Sequence, residues 1–215
     1  MIITSLRKRR NKIFLYFDNS ERLEVEYEVY LSSGSAKGDE VGKNRIENLV
    51  SDNEIFQTKN SAYRYLGNRN HSSFELRQKL SKKGYQQKII QKVMLELNRK
   101  GYIDDHKFAE SFVRMRVERR KEGIVKINSE LRKRGISNEI IFDVISDSEN
   151  DPIHYDNALD LAKKKYNTLK YKSLEYSKLK GRLFNFLKGK GYKPDIVFTV
   201  IDDILKNEEY NYEDI

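Results

Sequence analysis

Leu80-Ser-Lys-Lys-Gly84-Tyr85 reads as the end of a helix, and the chain writes it three times. The run returns as Leu131-Arg-Lys-Arg-Gly135-Ile136 and as Leu187-Lys-Gly-Lys-Gly191-Tyr192, 51 and then 56 residues further on. Repetition at such a period marks a tandem array of supersecondary units. The register around each glycine repeats as well. Four residues before the leucine stand Leu76, Ile127 and Leu183. Five, six and nine after the glycine stand Ile89, Ile90 and Val93, then Ile140, Ile141 and Val144, then Ile196, Val197 and Val200. Spacings of three and four place these side chains on one face of a helix. Glycine supplies the left-handed residue that closes the first helix, and the Tyr or Ile behind it packs back on the last turn.

Each unit opens with one more helix, seeded by Ala62/Tyr65/Leu66, by Phe108/Ala109/Phe112/Val113 and by Ala158/Leu159/Leu161/Ala162. Ser72 with Glu75 makes a capping box, and Pro194 suits a first helical turn. Three helices in about 50 residues bury little surface alone. The expectation is therefore a curved array of stacked three-helix units over 44–104 (with a lead helix), 105–151 and 152–206. Ahead of them, Lys12-Ile-Phe-Leu-Tyr-Phe17 and Leu23-Glu-Val-Glu-Tyr-Glu-Val29, joined by Asp18-Asn19-Ser20-Glu21, predict a β-hairpin. With the Ser/Gly-rich stretch Ser32 to Gly42 it fills 1–43, and an acidic tail fills 207–215. The fold class expected is mainly α, three tandem three-helix repeats preceded by a small N-terminal β-hairpin.

Composition narrows the function. Of 215 residues, 35% are charged and 38% hydrophobic, with 42 Lys+Arg against 33 Asp+Glu. That charged share exceeds the usual quarter or so, which favours a modular body with much surface. A net charge of +9 favours a polyanionic partner such as nucleic acid. By segment the net charge is −1 over 1–58, +7 over 59–105, +1 over 106–155 and +2 over 156–215, and every Lys and Arg of 106–155 precedes Ser137. The chain holds no Cys, which removes disulfides, thiolate metal sites and cysteine nucleophiles. No apolar run approaches the roughly 18 residues a bilayer demands, so a soluble, cytoplasmic protein is expected.

Catalytic chemistry has no foothold in these residues. His71, His106 and His154 are the only histidines, and none has a second ligand at helical metal-site spacing. Asp104-Asp105-His106 reads as an N-cap and first turn rather than an acid–base set. Neither a phosphate-binding glycine loop nor a nucleophile elbow is present. The expectation is no enzyme, no metal and no cofactor.

The basic residues carry more information. At 100° per residue, Ile89, Val93, Leu97 and Ile90 share one arc, while Lys88, Arg99 and Lys92 lie opposite as a basic stripe. On the helix from Phe108, Arg119, Arg116 and Arg120 fall on the arc that Phe112, Ala109 and Val113 define. These arginines either project past the core towards a partner or cover apolar surface with their stems and pair with carboxylates of the next unit; projection to a partner is the expectation. The candidate filament- or DNA-binding residues are Lys82, Lys83, Lys88, Lys92, Arg99, Lys100, Arg114, Arg116, Arg119, Arg120, Arg132, Lys133, Arg134, Lys188 and Lys190. Phe108, Phe112, Phe142, Phe184 and Phe198 are assigned to the core, and Tyr85, Tyr102 and Tyr192 to staples behind the glycines.

These residues resemble the RecX family, regulators of the RecA recombinase. The resemblance rests on Arg69-Asn-His-Ser72-Ser-Phe-Glu75-Leu76 and on Leu80-Ser-Lys-Lys83-Gly84-Tyr85. It rests further on Gly101-Tyr-Ile-Asp104-Asp105-His-Lys-Phe108-Ala109-Glu-Ser-Phe112-Val113-Arg114-Met-Arg116, and runs on through Gly123, Ile127 and Glu130 to Ile136. It covers about 54–206. The chain departs from the family at His71, where Arg is usual, and at Ile124, where Pro commonly follows the glycine. The resemblance implies a non-enzymatic modulator that binds the RecA–single-stranded DNA filament along its groove and suppresses strand exchange; the basic surface adds the expectation of weak, non-specific contact to single-stranded DNA, and a monomer is expected. A helix-turn-helix transcriptional regulator is the alternative. The helices from 86 and 137 carry few Asn, Gln or Arg in a compact first-turn group, which disfavours base readout.

Overall fold

The computed structural model describes residues 1–149, 151–172 and 175–209. All three glycine endings close alike. Gly84, Gly135 and Gly191 have φ of 92°, 70° and 92°. Behind each, the amide of Tyr85, Ile136 or Tyr192 donates to the carbonyl of Leu80, Leu131 or Leu187, at 3.4, 3.2 and 3.3 Å. This is the six-to-one bond of a Schellman ending. Gly101, with φ of 72°, adds a fourth, Tyr102 bonding back to Leu97 at 2.9 Å.

The chain divides into two compact units, Met1–Ile103 and Asp104–Ile215. The first begins with strands β1 (Ile3–Arg9), β2 (Lys12–Phe17) and β3 (Arg22–Glu26), an antiparallel sheet in that order. The expected hairpin is β2–β3, and β1 pairs with the free edge of β2 from Arg9↔Lys12 back to Ile3↔Phe17. The second strand is shorter than expected, because Tyr27 starts helix α1 (Tyr27–Ser33), which ends on Gly34 in the left-handed conformation. Ile3, Ile13, Leu15, Phe17 and Val25 form the buried face of the sheet with Val29 of α1 and Leu49 of α2 (Lys43–Asn68). The 26-residue α2 is also the first helix of the first triplet, completed by α3 (Ser73–Lys82) and α4 (Gln87–Arg99). Ala62, Leu76, Leu80, Ile90 and Val93 are its core. Ser72 caps α3 by accepting from the Glu75 amide at 3.1 Å.

The second unit holds two triplets, α5 (Asp105–Arg120), α6 (Ile124–Lys133) and α7 (Asn138–Glu149), then α8 (Ile153–Leu169), α9 (Tyr176–Lys190) and α10 (Pro194–Glu209). Each has its own core, built on Ile127 and Leu131 in one and on Leu183 and Leu187 in the other, all four fully buried. The triplets meet backbone to backbone. The amides of Gly123 and Val125, at the start of α6, donate to the carbonyls of Lys190 and Gly191, at the end of α9, both at 3.0 Å. Orphan donors of one helix thus satisfy orphan acceptors of the other. Only glycine fits there, since a Cβ on Gly123 would collide with the Gly191 backbone and one on Gly191 with Lys126. Asn157 donates to the Val117 carbonyl at 3.0 Å, and Tyr192 to that of Lys121 at 2.8 Å. The acidic tail expected over 207–215 lies, beyond Glu209, outside the described residues.

Two core assignments are corrected. Phe142 is 72% exposed and Phe198 48% exposed. Both stand seven residues after the glycine, off the five-six-nine positions that face inward. Tyr85 and Tyr192 pack back as expected, whereas Tyr102 is largely exposed and meets Tyr63 edge-on at 5.3 Å.

Candidate nucleic-acid and partner interface

Of the fifteen candidate basic residues, Lys82 to Lys100 belong to the first unit and Arg114 to Lys190 to the second. In the first, Lys88, Lys92 and Arg99 stand exposed on α4, opposite the buried Ile89, Ile90, Val93 and Leu97. Lys82 is exposed at the end of α3. None of these four forms an ion pair among the described residues. Lys83 is committed within the fold, donating to the Ser61 hydroxyl at 2.7 Å with its ammonium 5.7 Å from the Tyr85 ring centre. Lys100 pairs with Glu96 at 2.8 Å, and Lys59 reaches the other oxygen of the same carboxylate. Hydrogen bonds from Lys100 and Lys59 hold Glu96 down to about 2.

In the second unit Asp104 caps α5, its carboxylate accepting from the amides of His106 and Lys107 at 3.0 Å. These bonds, led by that from Lys107, lower the Asp104 pKa. The structure therefore puts this aspartate to use as a cap. Further along α5 the three arginines part company. Arg116 is 9% exposed, its guanidinium 2.8 Å from Glu122 and 4.7 Å from the centre of the Phe112 ring. It does not project to a partner, and that expectation is corrected. The helical wheel placed Arg116 in the middle of the apolar arc, and what covers the arc there is the turn after α5, which brings in Glu122. Burial alone would raise the Glu122 carboxyl. Lys126 and Arg116 outweigh it and hold the group below its usual range. Glu122 carried no sequence signal, because the six-residue spacing crosses a turn rather than a helix face.

Arg119 and Arg120, in the last turn of α5, are exposed, as is Arg114, and none forms an ion pair among the described residues. A cationic last turn also suits the helix dipole. On α6, Arg132 is exposed. Lys133 and Arg134 share Glu130, at 3.2 and 2.8 Å, and Arg134 lies 4.7 Å from the centre of the Phe112 ring. In the third triplet Lys188 and Lys190 rest over Phe184 and Phe186, at 5.9 and 5.8 Å. The candidates thus separate into uncommitted side chains, on α3, α4, α5 and α6, and others tied into the fold. No group of three or more metal-ligating side chains occurs among the described residues, and no described helix is long and apolar enough to cross a membrane.

Comparison with known proteins agrees with this architecture. Residues 59–97, 104–145 and 153–201 match the first, second and third three-helix domains of RecX. The chain is 31% identical over 209 residues to the regulatory protein RecX of Clostridium perfringens strain SM101, covering 96% of this chain and 97% of that one. A crystal structure of regulatory protein RecX superposes with a TM-score of 0.73 at 20% identity, covering 94% of this chain and 98% of the other. The crystal structure of RecX from Lactobacillus salivarius does so with 0.63 at 26% identity, over 70% and 96%. With three family domains in order and near-complete coverage by a RecX relative, the chain belongs to the RecX family of regulatory proteins, regulators of the RecA recombinase.

Proposed function

We propose that this chain binds the RecA–single-stranded DNA filament as a cytoplasmic monomer, and that by lying along the filament it inhibits strand exchange. The observation that carries this is the set of uncommitted cations on repeated units: Lys82, Lys88, Lys92 and Arg99 in one, Arg114, Arg119, Arg120 and Arg132 in the next. A filament offers one site at a fixed step. Similar units in tandem can engage successive sites, each weak contact raising the effective concentration of the next. Exposed cations meet DNA phosphates without reading bases, so binding to DNA alone is weak, independent of sequence and steeply salt-dependent. No catalytic step is needed, since occupancy of the groove by itself excludes duplex DNA.

Sedimentation of the chain with RecA filaments, compared with naked single-stranded DNA at matched salt, tests this reading. Filaments are expected to carry down far more protein than naked DNA, and strand exchange to slow as the chain is added. A preference for one duplex sequence of roughly a thousandfold or more would instead identify a sequence-specific DNA-binding protein.

A further inference from the structure

The outer face of the N-terminal sheet carries side chains that a merely solvated face does not need. Alternation along β2 turns Ile13, Leu15 and Phe17 into the core, where Val29 of α1 and Leu49 of α2 meet them. Phe14 and Tyr16 therefore stand on the opposite face, which in a sheet packed on one side is ordinarily polar. Both rings are half-buried. The register sets Arg22 of β3 beside Tyr16 and Arg7 of β1 beside Phe14, with Arg9 next along β1 on the same side. Arg10 follows in the turn between β1 and β2. Arginines on an edge strand also guard against edge-to-edge pairing, but that duty does not call for two rings on the solvent side of the middle strand.

The acids on this face are committed and the arginines are not. Glu24 pairs with Lys12, and Glu26 accepts the Gln57 side-chain amide at 3.1 Å. Arg7, Arg9 and Arg10 are exposed and form no ion pair among the described residues, and the Arg22 guanidinium lies 5.9 Å from the centre of the Phe14 ring. Residues 1–17 hold five Lys and Arg and no acid, while Asp18 and Glu21 belong to the turn beyond Phe17, at the end away from Arg9. Rings flanked by free guanidiniums complement a polymer that carries both bases and phosphates. Successive outward residues of a strand are about 7 Å apart, twice the roughly 3.4 Å step of bases in a duplex, so these rings suit bases that have been drawn apart. We infer that the outer face of the sheet binds single-stranded DNA, one base stacking on Phe14 and the next on Tyr16, with the phosphates along Arg7 and Arg9. Arg22 adds a planar cation on which a base can also stack. The inference rests on the recombinase reading above for its choice of DNA, and adds base stacking to the phosphate contacts given there.

Two ligands and two chains test it. A thymine oligonucleotide and an abasic one of equal length share their phosphates and differ in having bases to stack. Phe14→Ile with Tyr16→Ile removes both rings and keeps apolar, strand-favouring side chains on the sheet. The wild type is expected to bind the thymine strand about tenfold or more tighter than the abasic one, as base–aromatic stacking provides. The double variant should lose that preference and bind the abasic strand as the wild type does. Photocrosslinking of the wild type to a bromodeoxyuridine-substituted strand should mark Phe14 or Tyr16, a readout independent of how the variant folds. Equal binding of the two ligands by the wild type overturns the inference, as do crosslinks confined to other residues or an undiminished preference in the variant. Polyglutamate that competes as well as the thymine strand overturns it in favour of an acidic protein segment. Sedimentation with RecA filaments separates the two readings: filament binding without any base preference overturns this inference alone, and base preference without filament binding overturns the recombinase reading alone.

Discussion

Helices α4 and α7 are the same element in successive triplets, with the same inward face and opposite charges outside it. Ile89, Ile90 and Val93 of one correspond to Ile140, Ile141 and Val144 of the other. Where α4 presents Lys88 and Lys92, α7 presents Glu139 and Asp143, 51 residues on in each case and all exposed. Inward positions are fixed by packing, which any copy must repeat to bury its triplet. Outward positions are under no such constraint and can take on different partners. The repeat is thus a statement about fold, and the departures from it are the positions left free to differ.

The largest effect sharpens the inward side of that contrast. Arg116→Ala leaves the buried Glu122 with Lys126, 3.0 Å away, as its remaining partner and strips the Arg116 stem from the Phe112 ring, and is expected to cost about 3 kcal/mol, lowering the melting temperature by roughly 6 °C or more. Replacing both partners by apolar residues, Arg116→Met with Glu122→Leu, should recover most of the loss, because no buried charge then remains. A melting curve for Arg116→Ala like that of the wild type would return this arginine to the surface. Next comes the junction between the second and third triplets. Gly123→Ala puts a methyl group into the Gly191 backbone and is expected to destabilise by about 2–3 kcal/mol. Protection of the Gly123 and Val125 amides from hydrogen exchange should fall with it.

Outward substitutions should leave the fold alone. Arg119→Ala with Arg120→Ala is expected to change stability by less than about 1 kcal/mol while reducing the salt slope of filament binding by roughly two phosphate contacts. Unchanged affinity and slope would show that the end of α5 is not part of the interface. The smallest effect concerns Glu96. Its pKa is depressed to about 2 by hydrogen bonds from Lys100 and Lys59, so its contribution is present above the unfolded value of about 4.3 and is lost as pH falls from there towards 2. Because the site is open to water, screening keeps that contribution modest. Glu96→Gln should lie slightly below the wild type near pH 7, with the gap closing on acidification.

The architecture was legible because glycine, leucine and the five-six-nine positions each have one structural reason to recur. Strand β1 was not. Ile3-Thr-Ser-Leu-Arg-Lys-Arg9 is an edge strand with Ile3 alone fully buried, and it lacks the alternation that reveals a strand. At the interface, the wheel located Arg116 correctly on the apolar arc. It cannot reveal that a turn, with Glu122, closes over that arc and makes the arginine half of a buried ion pair. Phe142 failed for the converse reason. Its aromatic character suggested core, although its position seven after Gly135 falls outside the inward register. In both cases the sequence located the side chain on its helix, and tertiary covering decided what that location meant.

Whether α4 and α7 face different partners is tested most directly by exchanging their charges. Lys88→Glu with Lys92→Asp gives α4 the outer face of α7, and Glu139→Lys with Asp143→Lys does the reverse, each altering only exposed positions. The measurement is affinity for naked single-stranded DNA and for RecA filaments across a salt titration, with melting temperature as the control for folding. The first variant is expected to lose DNA affinity and flatten the salt slope, whereas the second binds DNA at least as well as the wild type and loses affinity for the filament. Equal effects of the two exchanges on DNA and filament would contradict that division of labour.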